Sequence, residues 1–244
     1  MTAFRYDLEE LHKKTLGLIV LQSDETIEQD FRRILPLDIN LHISRVTSGL
    51  EVTSDSLQQM EQHLPDAAGL FPRGLHFDAV GYGCTSGTAQ IGPERISSLV
   101  QGGVSTGAVS QPVSALIAAC KHLGLSRLAI LSPYIEEVSN RLRQVLAEHG
   151  IDTPVFGSFE EAEEQKVVRI DAASVQEAAF NLAAQGGIDG VFLSCTNLRT
   201  FDVIGPLESD LDLPVLSSNQ VLAWHLTRLA GAPLHVSGFG RLLA

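Results

Sequence analysis

The stretch Asp78-Ala-Val-Gly-Tyr-Gly-Cys84-Thr-Ser recurs later in the chain as Asp189-Gly-Val-Phe-Leu-Ser-Cys195-Thr-Asn. Each copy has an aspartate, an apolar run and then Cys-Thr, and the two cysteines lie 111 positions apart in a chain of 244 residues. A repeat at this spacing predicts two similar halves related by an approximate twofold. Ligands of open parallel sheets bind outside the carboxyl ends of the strands. We therefore expect Cys84 and Cys195 to face each other across a cleft between the halves.

Apolar runs alternate with amphipathic runs along the rest of the chain, which is typical of an α/β fold with parallel sheets. We predict two similar Rossmann-like subdomains with the active site in the cleft between them. Residues 1–107 and 217–244 would form the N-terminal subdomain, and residues 108–216 the C-terminal one. One predicted helix is bracketed by Pro112 and Gly124, because proline favours the first turn of a helix and glycine its end.

Composition excludes several classes of partner. The chain has 17 Lys and Arg against 29 Asp and Glu, so its net charge of −12 repels the phosphates of nucleic acids. No apolar run reaches the ~18 residues that a membrane helix needs. The N-terminus lacks the apolar segment of a signal peptide, so we expect a cytoplasmic protein with reduced thiols. We also expect a homo-oligomer, either a dimer or a dimer of dimers.

The paired cysteines indicate thiol chemistry. A thiol on each face of a carbon atom could remove a proton from one side and return it on the other. The reactive form is the thiolate, which needs hydrogen-bond donors beside it. Thr85, Ser86, Thr196 and Asn197 follow the two cysteines directly and could supply them, or hold a carboxylate. The opposing interpretation is that both cysteines are small buried hydrophobic residues, as we expect for Cys120 in its apolar helix.

Other motifs are weaker. Gly103-Val-Ser105-Thr-Gly107 matches the G-x-S-x-G elbow of serine hydrolases, but a helix end precedes it instead of a long strand, although 103–106 could form a short one. The eight histidines have no ligand spacing, so no metal site is predicted. The acidic run at residues 160–164 is typical of a solvated loop.

Several segments together resemble the Asp/Glu racemase superfamily, in its branch of maleate cis-trans isomerases and arylmalonate decarboxylases. They are LGLIV (16–20), GCTSG (83–87), SPY (132–134) and SCTNLRTFDVIG (194–205). Within the branch the chain is most similar to the ectoine-utilisation A proteins. The resemblance implies two α/β subdomains with one cysteine from each in the site, and no cofactor.

The resemblance also implies roles for single residues. The family cysteines fall on Cys84 and Cys195, and the active-site tyrosine falls on Tyr134. The residues that cradle a carboxylate fall on Thr85, Ser86, Thr196 and Asn197. Arylmalonate decarboxylases lack the first cysteine, so Cys84 favours isomerisation or racemisation over decarboxylation.

Two positions depart from the family pattern. Asp24 and Glu164 stand where maleate isomerases have substrate-binding asparagines. A carboxylate in place of an amide removes a hydrogen bond to a substrate anion and adds charge repulsion. This disfavours a dianion such as maleate and favours a substrate with an amine or amidine beside its carboxylate. Alternatively, Asp24 only caps the helix that follows it, and both roles can coexist.

Three functions remain open on the sequence. The main hypothesis is a cofactor-independent isomerase or racemase that transfers a proton alpha to a carboxylate, with a maleate isomerase or a decarboxylase-like enzyme as the alternative within the family. A second hypothesis is a non-catalytic ligand-binding module that kept the cleft. The third is a serine hydrolase acting through Ser105.

Overall fold

The computed structural model describes residues 1–8 and 13–244. Its strands are β1 (Thr15–Leu21), β2 (Asn40–Val46), β3 (Ala79–Gly83), β4 (Val109–Ser110), β5 (Arg127–Ser132), β6 (Asp152–Ser158), β7 (Gly190–Leu193) and β8 (Val215–Ser217). Its helices are α1 (Ile27–Ile34), α2 (Ser54–Gly69), α3 (Thr85–Ile91), α4 (Pro93–Gly103), α5 (Pro112–Leu123), α6 (Glu136–Glu148), α7 (Glu164–Val167), α8 (Ala172–Ala183), α9 (Phe201–Leu211) and α10 (Ser218–Leu229).

The strands form two parallel sheets with the same topology. The first has the order β2-β1-β3-β4 and the second the order β6-β5-β7-β8. Every residue of β1, β3, β7 and β8 is buried, because helices cover both faces of a parallel sheet. The prediction of an α/β protein with two similar halves is confirmed.

The division of the chain at residues 107 and 108 stays a prediction, with one correction. Strand β4 and helix α5 follow that boundary, but β4 pairs with β3 in the first sheet and α5 packs against α3 and α10. The short strand expected over 103–106 is wrong, because Gly103 still belongs to α4 and only Thr106 makes an isolated bridge, to Phe77. Ser105 therefore lies on a loop after a helix. The nucleophile elbow of a hydrolase instead places its serine directly after a strand, so this geometry is absent here.

Helix α10 joins the two halves. It follows β8 of the second sheet and packs against α5 and β3 of the first half. Gly81 in β3 allows this close approach, since a Cβ there would lie 2.7 Å from Leu226 Cδ1 of α10. The start of α10 therefore lies where the carboxyl ends of both sheets meet.

Within residues 1–8 and 13–244, no helix is long and apolar enough to cross a membrane.

Candidate active site

Both repeated cysteines lie at the carboxyl ends of equivalent strands. Cys84 follows β3 and Cys195 comes two residues after β7, and their exposed fractions are 5% and 3%. Both are free thiols, as is Cys120, which is buried in α5. The two strand ends thus bring a thiol from each half to the interior of the protein.

Cys84 sits at the N-terminus of α3 and has backbone hydrogen-bond donors. Its Sγ accepts the N–H of Gly87 at 3.2 Å. A side chain at Gly87 would not fit, since a Cβ there would lie 2.7 Å from Tyr82 Oη and 2.9 Å from Cys84 Sγ. Burial raises the pKa of Cys84 to about 12, although the N–H of Gly87 acts in the opposite direction. Cys84 is therefore a thiol until a ligand changes its surroundings.

Cys195 has a different backbone and different partners. Its φ is +101°, a conformation that L residues rarely adopt. Its N–H donates to Ser218 Oγ at 3.0 Å, and its Sγ accepts the N–H of Asn197 at 3.3 Å. Tyr134 Oη lies 2.9 Å from the same sulfur. Burial, and next the charge of Glu164, raise the pKa of Cys195 well above its usual range.

The two cysteine loops are tied together by hydroxyl groups. Ser218 Oγ, which accepts from the backbone of Cys195, is also 2.7 Å from Oγ1 of Thr85. Thr196 Oγ1 donates to the carbonyl oxygen of Gly83 at 3.2 Å. Residues beside one cysteine therefore bind residues beside the other, and the two halves form one site.

Glu164 lies inside this site, although it ends an acidic run predicted to be solvated. Only 2% of it is exposed. Tyr134 Oη donates to its Oε1 at 2.5 Å, and Asn197 Nδ2 donates to its Oε2 at 2.7 Å. Burial raises the pKa of Glu164, and these two hydrogen bonds partly offset the rise. The solvated-loop interpretation is wrong for this residue, because its chain turns inward to begin α7.

Asp24 both caps a helix and leaves one oxygen free. Its Oδ1 accepts the N–H groups of Thr26 and Ile27, each at 2.8 Å, at the start of α1. Its Oδ2 is buried and makes no hydrogen bond among the described residues, because the nearby hydroxyl of Thr196, which lowers the pKa of Asp24, donates to Gly83. Burial raises the pKa of Asp24 to about 6, and the charge of Glu164 contributes to the rise. An unpartnered buried carboxylate oxygen is costly unless a ligand binds it.

No side-chain cation of the described residues balances these two carboxylates. The ion pairs found in residues 1–8 and 13–244 include neither Asp24 nor Glu164. Arg45 comes near, but it donates to the main-chain oxygen of Asp24 at 3.1 Å and pairs with Glu28. The same part of the chain contains no cluster of His, Cys, Asp or Glu that could hold a metal ion.

The site is covered by two loops, one from each half. Val52 N–H donates to the Ala162 carbonyl at 2.9 Å, and Glu164 N–H donates to the Leu50 carbonyl at 3.1 Å. Beneath them lies a cavity of about 10 Å³ lined by residues that include Met60 and Glu164. Neither Cys84 nor Cys195 lines this small cavity, which lies on the Glu164 side of the site.

The remaining candidate residues have simple positions. Thr85 and Ser86 are buried in the first turn of α3, and Thr196 is buried beside Cys195. Ser105 lies outside the site on an exposed loop, where its Oγ is 3.0 Å from Nδ1 of His76.

Two residues of the site were missed by sequence reasoning. Tyr82 lies in β3 and its hydroxyl lies beside Cys84, but an aromatic residue in a buried strand carries no functional signal. Ser218 follows β8, and its place after the fourth strand of a sheet could have marked it, because strand ends on one edge converge.

Known proteins similar to this chain include maleate isomerases and an arylmalonate decarboxylase. A maleate isomerase of Geobacillus stearothermophilus is 23% identical over 244 residues, covering 94% of this chain and 96% of that protein. An arylmalonate decarboxylase of Bordetella bronchiseptica is 33% identical over 133 residues, which is 53% of this chain and 55% of the decarboxylase. That match thus spans about half of the length of the decarboxylase.

Solved structures agree with the sequence matches. The maleate isomerase Iso of Pseudomonas putida S16 has a TM-score of 0.84 and 20% identity, covering 94% of this chain and 98% of that one. A Nocardia farcinica maleate cis-trans isomerase with a covalently bound succinylcysteine intermediate has a TM-score of 0.82 and 22% identity, over 94% and 98% of the two chains. These relatives are enzymes, as the sequence predicted for this chain.

The family model described as Amdase, arylmalonate decarboxylase, matches residues 103–243, which include Cys195 and Ser218. The chain belongs to the arylmalonate decarboxylase family.

Proposed function

We propose that this protein is a cofactor-independent isomerase or racemase that moves a proton at a carbon next to a carboxylate. The support is the pair of buried thiols, one at the end of β3 and one beyond the end of β7, in a site whose two loops are joined through Ser218. The charge of Glu164 acts on both Cys84 and Cys195, so both sulfurs lie near one carboxylate.

The substrate that we propose carries a cationic amine or amidine beside its carboxylate. One observation carries this proposal: Asp24 Oδ2 is buried without a partner, and neither Asp24 nor Glu164 has a cationic side chain against it. A bound cation would supply the missing partner and compensate two buried negative charges. An amidine carboxylate of the ectoine type has the required groups.

The chemistry then follows from the two thiols. One sulfur, as the thiolate, takes the proton from the alpha carbon, so that the C–H bond breaks and an S–H bond forms. The other thiol gives its proton to the opposite face of that carbon. Hydroxyl and amide groups of Thr85, Ser86 and Asn197 would stabilise the negative charge on the substrate carboxylate. The cation of the substrate favours the thiolate, because it offsets the carboxylates that raise the thiol pKa values.

A maleate isomerase is the second candidate, favoured by matches that span 94% of this chain. In that reaction a thiolate adds to the double bond of a dianion. Asp24 and Glu164 argue against it, since each would meet a like charge in a buried site. A decarboxylase is less favoured, because Cys84 is present. A ligand-binding module would bind the same molecules without turnover.

The test has two parts. Amino-acid and amidine carboxylates are screened in heavy water for exchange of the alpha proton, which reports proton transfer even when the product is unknown. Calorimetric titrations then compare wild type with Asp24→Asn, using maleate and ectoine. We expect wild type to favour the cationic ligand, and Asp24→Asn to shift the ratio of affinities towards maleate by about tenfold to several hundredfold.

The matched control is Asp38→Asn, which removes the same charge from an exposed loop between α1 and β2. It should leave both affinities unchanged. Good turnover of maleate by wild type, together with unaltered affinities in Asp24→Asn, would leave Asp24 as a helix cap and refute the cationic substrate. Binding without any exchange would support the non-catalytic module.

A further inference from the structure

We propose that Glu164 exchanges a proton with Cys195 through the hydroxyl group of Tyr134, and so controls when this thiol ionises. The use of this relay in turnover rests on the proposed function, whereas the relay itself is a property of the protein alone. Glu164 does not touch the reacting sulfur, so it is a positioning residue that acts through Tyr134.

The hydrogen bonds give the relay its direction. Tyr134 Oη lies 2.5 Å from Glu164 Oε1 and 2.9 Å from Cys195 Sγ. An ionised carboxylate can only accept, so the hydroxyl proton of Tyr134 lies towards Glu164. The tyrosine oxygen is then free to accept the S–H of Cys195. The three groups form a continuous path from sulfur to carboxylate.

Asn197 holds both ends of this path. Its side-chain Nδ2 donates to Glu164 Oε2 at 2.7 Å, and its backbone N–H donates to Cys195 Sγ at 3.3 Å. All three side chains of the path are at least 95% buried, so bulk water does not provide the proton acceptor. The path is therefore both fixed in geometry and isolated from solvent.

The transfer conserves charge within the site. The S–H bond of Cys195 breaks as its proton joins the Tyr134 oxygen, and the original hydroxyl proton of Tyr134 bonds to Glu164 Oε1. The products are a thiolate, an unchanged neutral tyrosine and a neutral carboxylic acid. Ionising Cys195 by loss of the proton to solvent would instead add a third negative charge beside Asp24 and Glu164, which a buried site disfavours.

Cys84 has no equivalent path among the described residues. Its Sγ accepts the N–H of Gly87, and the hydroxyl of Tyr82 beside it lies 3.5 Å from the thioether sulfur of Met60. A thioether is a weak acceptor that does not take up a proton at ordinary pH. The relay therefore separates the two thiols, although their sequence contexts match.

Seven titratable groups interact here. They are Asp24 before α1, Asp30 in α1, Tyr82 in β3, Cys84 after β3, Tyr134 after β5, Glu164 at the start of α7 and Cys195 after β7. Because these groups interact, the pH dependence belongs to the set and not to one residue. The test must therefore compare variants that alter one member at a time.

The experiment measures alkylation of Cys195 by iodoacetamide as a function of pH, with peptide mass spectrometry to resolve the three cysteines of the intact chain. Only the thiolate reacts. When Cys195 and Glu164 share one proton through the relay, the fraction of Cys195 that is ionised does not depend on pH. We expect the wild-type rate to change less than about threefold between about pH 6 and pH 8. In Glu164→Gln the rate should rise about tenfold per pH unit.

Two further variants keep the test decisive. Tyr134→Phe removes the hydroxyl that bonds both groups but leaves Glu164. The pH-independent region should persist, since it depends only on the two sharing groups, but its rate should shift by about tenfold because a hydrogen bond to a charged group is lost. Glu163→Gln is the matched control, because Glu163 is exposed and pairs with Lys166, and its profile should equal that of wild type. A tenfold rise per pH unit in wild type, a flat region that survives in Glu164→Gln, or a Tyr134→Phe profile identical to that of wild type would overturn the proposal. No substrate is used, so these outcomes are independent of the proposed reaction.

Discussion

The two cysteine segments begin alike and then diverge. In each half, the aspartate before the cysteine strand hydrogen-bonds to the start of the neighbouring strand. Asp78 accepts the N–H of Thr15 in β1 at 2.8 Å, and Asp189 accepts the N–H of Arg127 in β5 at 2.9 Å. After Cys84 the chain enters α3 at once, whereas after Cys195 it forms a loop until α9 begins at Phe201.

This divergence changes the chemistry around each sulfur. The helical turn after Cys84 brings a backbone N–H to its sulfur. The loop after Cys195 also brings a backbone N–H to its sulfur, that of Asn197, and it places this sulfur beside Tyr134, which follows the neighbouring strand β5. A repeated fold thus supplies two thiols at equivalent strand ends, while the local backbone decides which thiol meets a proton acceptor.

Loss of either thiol is the largest effect that we expect. Cys84→Ala and Cys195→Ala should each abolish isomerisation, because each sulfur serves one face of the reacting carbon. One of these variants could still exchange a proton on its remaining face. The measurement is product formation beside alpha-proton exchange in heavy water, for the substrate found by the screen.

Cys120→Ala is the control for thiol loss. Cys120 is buried in α5, outside the site, and its removal should leave the rate nearly unchanged. Isomerisation by Cys84→Ala at the wild-type rate would rule out the two-thiol mechanism and remove any functional meaning from the comparison of the two halves.

Sequence alone could predict the common features of the halves. The repeat identified the strand ends that carry Cys84 and Cys195, and Pro112 and Gly124 gave the bounds of α5. The family resemblance predicted that Asp24, Tyr134 and Glu164 share one site, and in the structure these three residues lie close together. Their proximity follows from strand ends that converge on one edge of a sheet, and the roles of these residues stay predictions.

The differences between the halves could not be predicted. Helix α9 contains Pro206, and a proline inside a segment weakens its helical pattern. The N–H of Cys195, whose φ is +101°, donates to Ser218, which lies 23 residues further along the chain. The pairing of Tyr134 with Glu164 likewise joins two loops that are distant in sequence. Such features depend on tertiary packing, which local patterns do not encode.

Removal of the link between the two loops should have the next largest effect. In Ser218→Ala the N–H of Cys195 and the hydroxyl of Thr85 both lose a buried partner. Each unsatisfied group costs about 1–3 kcal/mol, so we expect a comparable fall in the free energy of unfolding. If Ser218 positions the two loops for catalysis, kcat should fall by a larger factor than KM rises. Amide hydrogen exchange at Cys195 should also be faster, because the site opens more often.

The control for this variant is Ser209→Ala. Ser209 is exposed on α9, and its hydroxyl bonds only within that helix. Its stability and kinetics should equal those of wild type. If Ser218→Ala also matches wild type, Ser218 does not hold the two loops together.

The smallest effect that we expect tests the backbone difference directly. At Cys195, with φ of +101°, alanine keeps the strain of a left-handed residue, whereas glycine relieves it. Cys195→Gly should therefore be more stable than Cys195→Ala by about 1 kcal/mol. At Cys84, with φ of −152°, the backbone is extended and any residue adopts it. There glycine gains nothing and adds chain entropy to the unfolded state, so Cys84→Ala should be more stable than Cys84→Gly by roughly 0.5–1 kcal/mol.

Urea unfolding of the four variants measures both differences, and comparison of alanine with glycine at one position cancels the loss of the thiol. The sign of the difference should reverse between the two positions. The same sign at both would mean that Cys195 relaxes without strain, and that the divergence after the two strands lies in the side-chain partners alone.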